Sequence, residues 1–127
     1  MTQVYNIYNN SVETCSGLAP YPISTYLATG GILDKTPVLC GGVVSNHTGV
    51  SSKCYYHDRD SNSWILIGNM NTVRFDAASI VTDSKLWVMG GTYNARYPSL
   101  LDTTEFIDMK NGGEITSGPP LTKGCYL

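Results

Sequence analysis

Two histidines and four cysteines are the side chains of this chain best suited to chemistry, and their spacing argues against catalysis. A zinc site gathers its ligands at short fixed intervals. Cys15, Cys40, Cys54 and Cys125 form no Cys-x-x-Cys pair and no recognised Cys/His spacing of a zinc site. His57 stands beside Asp58 and near Asp60, but sequence neighbours on a strand point to opposite faces. A solvated strand end is therefore expected for His57, and His47 falls in a loop. Ser79 lacks the surroundings that activate a nucleophile. No catalytic residue, metal or cofactor is expected.

Redox and modification chemistry remain. Cys40 directly precedes Gly41-Gly42 and Cys54 directly precedes Tyr55-Tyr56, on two segments expected to be neighbouring antiparallel strands. Two states fit the pair. A bridge would close a loop of about 15 residues and stabilise by up to ~3 kcal/mol; two buried free thiols are the alternative. Cys15 and Cys125 lie far apart in the repeat order described next, and any partner of theirs is expected outside this sequence. Asn46-His47-Thr48 and Asn9-Asn10-Ser11 are acceptor triplets for N-glycosylation, both in expected exposed loops. Together with Cys40 and Cys54 they favour an extracellular setting.

The elements that position these residues come from a repeat. Gly41-Gly42 and Gly90-Gly91 each end a short apolar run and lie 49 residues apart. Residues 56 to 68 align without gaps on 106 to 118, pairing Tyr56 with Phe106, Asp58 with Asp108 and Gly68 with Gly118. The period is thus about 50 residues, the signature of a repeat architecture. A partial third copy at the start puts Tyr5 on Phe106 and Glu13 on Glu114.

Runs rich in Val, Ile, Leu, Tyr and Trp alternate with Gly, Asn, Asp and Ser clusters, which predicts an all-β fold with four strands per unit. In the second unit these are 77 to 81, 86 to 89, 104 to 108 and 114 to 117, with turns at 82 to 85 and 109 to 113. In the first unit, 53 to 57 and 64 to 67 are the third and fourth strands. No helical periodicity occurs.

Leu39-Cys40-Gly41-Gly42, then Tyr55-Tyr56, then Asp58 through Trp64, then Met70 and Arg74, follow one another in the order of a kelch repeat, which this unit resembles. The resemblance implies four-stranded antiparallel meander blades of a β-propeller. It divides the chain into the end of a degenerate blade (1–22), a blade (23–73), a second blade (74–122) and the start of another (123–127). It also implies that the glycine pairs turn the second strand sharply near a crowded axis and that Trp64 packs between blades. In the ungapped alignment Glu114 and Glu13 stand at the Trp position, marking looser contacts.

A closed propeller needs typically 4 to 8 blades, so the simplest expectation is that further blades lie outside these 127 residues. A head-to-tail ring is disfavoured, because a blade shared between copies would lack its Gly-Gly strand.

The net charge of −2 and the 14% of charged residues, with basic ones scattered, disfavour nucleic acid as a partner. No apolar run approaches the ~20 residues of a membrane span. Residues 1 to 10 lack the basic start and apolar stretch of a signal peptide.

In many propellers of this kind one rim of loops is the binding face. It would comprise 43 to 52, 69 to 74 and 92 to 101, with Tyr93, Asn94, Arg96 and Tyr97 as contact candidates, since Tyr and Arg are the usual anchors. Arg74 is a further candidate whose place in the repeat favours a structural duty. The expectation is a non-enzymatic binding module, a fragment of a secreted kelch-type propeller that recognises a protein or glycan. The alternatives are an intracellular adaptor, serving a ubiquitin ligase or binding actin, and a piece of a propeller enzyme, a copper oxidase or a glycan-cleaving one.

Overall fold

The computed structural model describes residues 3–14, 17–45, 49–94, 96–97 and 99–125, and the regular elements of these are antiparallel strands apart from one short 3-10 segment. An N-terminal hairpin pairs β1 (Gln3–Asn6) with β2 (Ser11–Thr14). The short β3 (Thr25–Tyr26) precedes a four-stranded meander of β4 (Thr29–Leu33), β5 (Thr36–Cys40), β7 (Lys53–Asp58) and β8 (Ser63–Asn69). β6 (Val43–Val44) leaves this sheet and pairs with β3. The second meander is β9 (Ala78–Thr82), β10 (Lys85–Met89), β11 (Thr104–Asp108) and β12 (Glu114–Ser117). These are blade one and blade two.

Local chemistry fixes the same turn in both blades. Asp34 and Lys35 between β4 and β5, and Asp83 and Ser84 between β9 and β10, all have positive φ, from 48° to 66°. Two consecutive left-handed residues make the tight turn whose twist matches that of the strands. The expected four-residue turn at 82 to 85 narrows accordingly, because Thr82 and Lys85 pair with each other.

The blades share one core. Leu33, Val38, Cys40 and Cys54 of blade one join Leu86, Val88 and Ile107 of blade two, with Met70 and Ala77 from the connecting segment. Each Leu, Val, Ile or Met side chain among them, removed from water, contributes about 1.5–3 kcal/mol. Gly31 suits this approach, since a side chain there would crowd Val81 and Leu86. Ser79 is spent on the same contact: its hydroxyl donates to the Gly30 carbonyl at 2.8 Å.

Candidate functional site: a cleft on the loop rim

Both rim loops begin at a glycine pair. Gly41, Gly42, Gly90 and Gly91 have φ of 69°, 95°, 64° and 85°, and a side chain on Gly41 would fall 2.3 Å from the Arg74 carbonyl. The turn brings the chain against the strand-connecting segment. Gly42 N–H donates to the Arg74 carbonyl (2.9 Å), and Gly91 N–H donates to the Cys125 carbonyl (2.7 Å). Cys125, exposed and the free cysteine among the described residues, therefore holds after blade two the place that Arg74 holds after blade one.

The loop of blade one is fastened covalently. Cys40 and Cys54 face each other across β5 and β7, form a disulfide and are fully buried. Beyond them the loop closes on itself, with Ser51 N–H donating to Gly42 O and Val44 N–H to Gly49 O.

The loop of blade two is fastened by a buried ion pair. Arg74 Nη2 meets Glu105 Oε2 at 2.8 Å, with the arginine fully buried. Its Nη1 donates to the carbonyls of Gly90 (2.8 Å) and Thr103 (3.0 Å), the two ends of the loop. Glu105 also accepts the backbone N–H groups of Asn71 and Thr72. Arg74 is thus a tie between the blades and is removed from the set of ligand contacts, because no part of its guanidinium reaches solvent.

Between the two loops lies a cleft of about 660 Å³ lined by Tyr26, Val43, Gly49, Val50, Tyr93, Asn94 and Arg96. This is within the size range of small-ligand sites, roughly 300–1,000 Å³. Asn94 Oδ1 accepts the N–H groups of Arg96 (2.9 Å) and Tyr97 (3.3 Å), so it shapes the loop that presents Arg96. Tyr97 is 75% exposed and is not among the described residues that line the cleft. Among the described lining residues, Arg96 carries the one formal charge.

Three of the sequence candidates, Tyr93, Asn94 and Arg96, come together in this cleft. Tyr26 was missed. The signal existed: Tyr26 and Phe75 are 49 residues apart, like the glycine pairs, and each crosses to the loop of its blade, Tyr26 to Val43 and Phe75 to Thr92.

Two expectations are corrected. His57 is buried rather than a solvated strand end; its Nε2 lies 3.1 Å from Asn62 Oδ1 and its ring stands edge-on to Trp64. The Trp position is also misplaced by ungapped alignment. Trp64 faces His57 after a four-residue turn, whereas the turn of blade two holds five residues, including the 3-10 segment Met109–Asn111. The residue facing Ile107 is Ile115, not Glu114. In the N-terminal hairpin the turn again has four residues, and Val12 rather than Glu13 takes the place. All three positions are apolar.

Trp64 does pack at the edge of its blade. Its indole N–H donates to the Ala19 carbonyl at 3.0 Å, and Tyr21 stands edge-on to both Trp64 and Tyr55. Burial, with a smaller contribution from Tyr55, pushes the Tyr21 phenol up to about 12. Asn9 is exposed in its hairpin turn, its Oδ1 accepting from Ser11. Cys15, Asn46 and His47 lie outside the described residues.

Among the described residues no three His, Cys, Asp or Glu side chains gather as a metal site, and no helix is long and apolar enough to cross a membrane. No family model and no curated protein sequence matches the chain. Solved structures do. A protein named YjhT matches with a TM-score of 0.70 and 19% identity over 87% of this chain. A fungal alcohol oxidase of the AA5 family, in complex with copper, matches with a TM-score of 0.65 and 18% identity over 79%. The chain spans only 32% and 23% of those two proteins. At such identity the likeness shows the fold, an all-β array of propeller-type blades.

Proposed function

We propose that this chain is a non-enzymatic binding module, a segment of a secreted or extracellular kelch-type propeller that recognises a protein or glycan through its loop rim. The observation that carries the reading is the convergence of both rim loops on one cleft. Tyr26 and Tyr93 offer aromatic surface there, and Arg96 offers a cation on an exposed loop. Loops on a rigid scaffold are where recognition residues concentrate.

The extracellular setting is supported by the buried Cys40–Cys54 disulfide, since such bonds persist in oxidising compartments. Asn9 and Asn46 are the proposed glycosylation sites. Secretion from a eukaryotic host should yield a glycosidase-sensitive form that Asn9→Gln and Asn46→Gln shift downward; an insensitive form rules the modification out.

A second reading, a piece of a propeller enzyme, draws on the structural likeness to the copper-containing alcohol oxidase. On that reading the catalytic blades would lie outside this segment. Capture experiments test the first reading. The immobilised chain is offered a glycan panel and proteins from conditioned medium, beside Tyr93→Ala, Arg96→Ala and Tyr97→Ala. Loss of a specific capture with Tyr93→Ala and Arg96→Ala supports the cleft; capture unchanged by all three removes the rim from recognition.

A further inference from the structure

The turn of blade two that carries the extra residue also holds the one Asn-Gly pair of the chain, Asn111-Gly112. An asparagine can react with its own main chain, because the nitrogen of the next residue lies within reach of the side-chain carbonyl carbon. A glycine in that next place sets no β-carbon in the path of the attack. Every other asparagine here precedes a residue with a side chain.

The fold leaves this pair open to water and to reaction. Asn111 and Gly112 are both exposed, and a β-carbon at Gly112, whose φ is 76°, would meet nothing within 4 Å. The Asn111 amide is held by its nitrogen alone: Nδ2 donates to Asp108 Oδ2 at 2.9 Å, and the carbonyl accepts no hydrogen bond from a described residue. Other asparagines are held by the carbonyl. Asn10 Oδ1 accepts from the Tyr5 hydroxyl, Asn62 Oδ1 from the Ala19 N–H, and Asn94 Oδ1 from the Arg96 and Tyr97 N–H groups.

We infer that Asn111 is a site of spontaneous deamidation whose product loosens the contact between the blades. A base in solvent takes the Gly112 N–H proton, the nitrogen bonds to Asn111 Cγ, and the bond from Cγ to Nδ2 breaks, so that nitrogen leaves as ammonia with a proton from water. The five-membered imide then adds water. Opening one of its two C–N bonds gives aspartate and opening the other gives isoaspartate, with one water consumed and one ammonia released. Asp108 Oδ2, which accepted an N–H, then faces a second carboxylate, and like charges at that distance repel. In isoaspartate the main chain runs through the β-carbon and gains a methylene. Gly113 has no room to follow: its N–H donates to the Asp108 carbonyl at 3.0 Å, and a β-carbon on it would lie 2.8 Å from Ile67 Cγ2 of β8. The change therefore reaches both the closure of the turn and its seat on blade one.

Incubating the 127-residue chain in mildly alkaline buffer, then mapping its peptides and its hydrogen exchange by mass spectrometry, tests this. The peptide that holds Asn111 should gain about 1 Da, water added less ammonia lost. It should do so at least about tenfold faster than any other asparagine, because glycine alone leaves the attack unobstructed. Fragmentation should find isoaspartate in part of the product. Aged protein should exchange faster than fresh protein across residues 108–115. Asn111→Gln, whose longer side chain would have to close a larger ring, should age without that change, and freshly made Asn111→Asp, which has the charge without the added methylene, should fall between. An Asn111 that reacts only after unfolding in urea, another asparagine that reacts first, or a modified Asn111 with exchange across 108–115 unchanged would each overturn the inference.

Discussion

Blades one and two fold the same meander and fasten the same loop, but with unrelated chemistry. At paired positions of the second and third strands, blade one has Cys40 and Cys54 in a disulfide, and blade two has Met89 and Thr104. Blade two is instead held by Arg74, which reaches from the segment connecting the two blades to Glu105 and to both ends of the loop. A repeat thus keeps its backbone and replaces its fasteners. One wall of the rim cleft depends on redox state and the other on a buried charge pair.

The comparison can be broken most forcefully at the ion pair. Glu105→Ala leaves the Arg74 guanidinium buried without its counter-charge, a loss of about 3–5 kcal/mol by urea unfolding. A loss under about 1 kcal/mol would mean that Arg74 escapes to solvent and is no tie. Next in size is the double change Cys40→Ala and Cys54→Ala, expected to cost about 3 kcal/mol for a loop of this length. An unchanged unfolding midpoint would show the bridge to be dispensable.

The register sharpens the comparison further. Ile115→Ala should cost about 2 kcal/mol, because its side chain reaches the core between the blades. Glu114→Ala, at an exposed strand end, should stay within ±0.5 kcal/mol. The reverse order would restore the ungapped alignment. The smallest effect concerns Tyr21 of the segment that covers blade one. Its phenol holds its proton more tightly folded than unfolded, so the stabilisation is complete below the ordinary value of 10.0 and is lost as pH rises through about 12. Phenolate absorbance should show a late-titrating component that Tyr21→Phe removes; a titration unchanged by that substitution would contradict this.

The repeat period, the four-strand order and the Cys40–Cys54 pairing were legible in the residues, because strand alternation and glycine turns leave local marks. The single extra residue in the 109–113 turn was not, since sequence similarity on both sides of it favours a gap-free match. His57 was misread for a related reason. Its partner Asn62 and its cover Trp64 follow from the hairpin pairing, which the types of the neighbouring residues do not state. The cleft was half legible: Tyr93, Asn94 and Arg96 lie in an evident loop, whereas Tyr26 joins them only through the pairing of β3 with β6.

Hydrogen exchange read by mass spectrometry on two variants, side by side, tests the separate fastening of the two walls most directly. Cys40→Ala with Cys54→Ala should speed exchange across residues 41–53 and leave 90–103 protected, and Glu105→Gln should do the opposite. If either variant loosens both loops alike, the two walls form one cooperative unit and the account of independent fasteners is wrong.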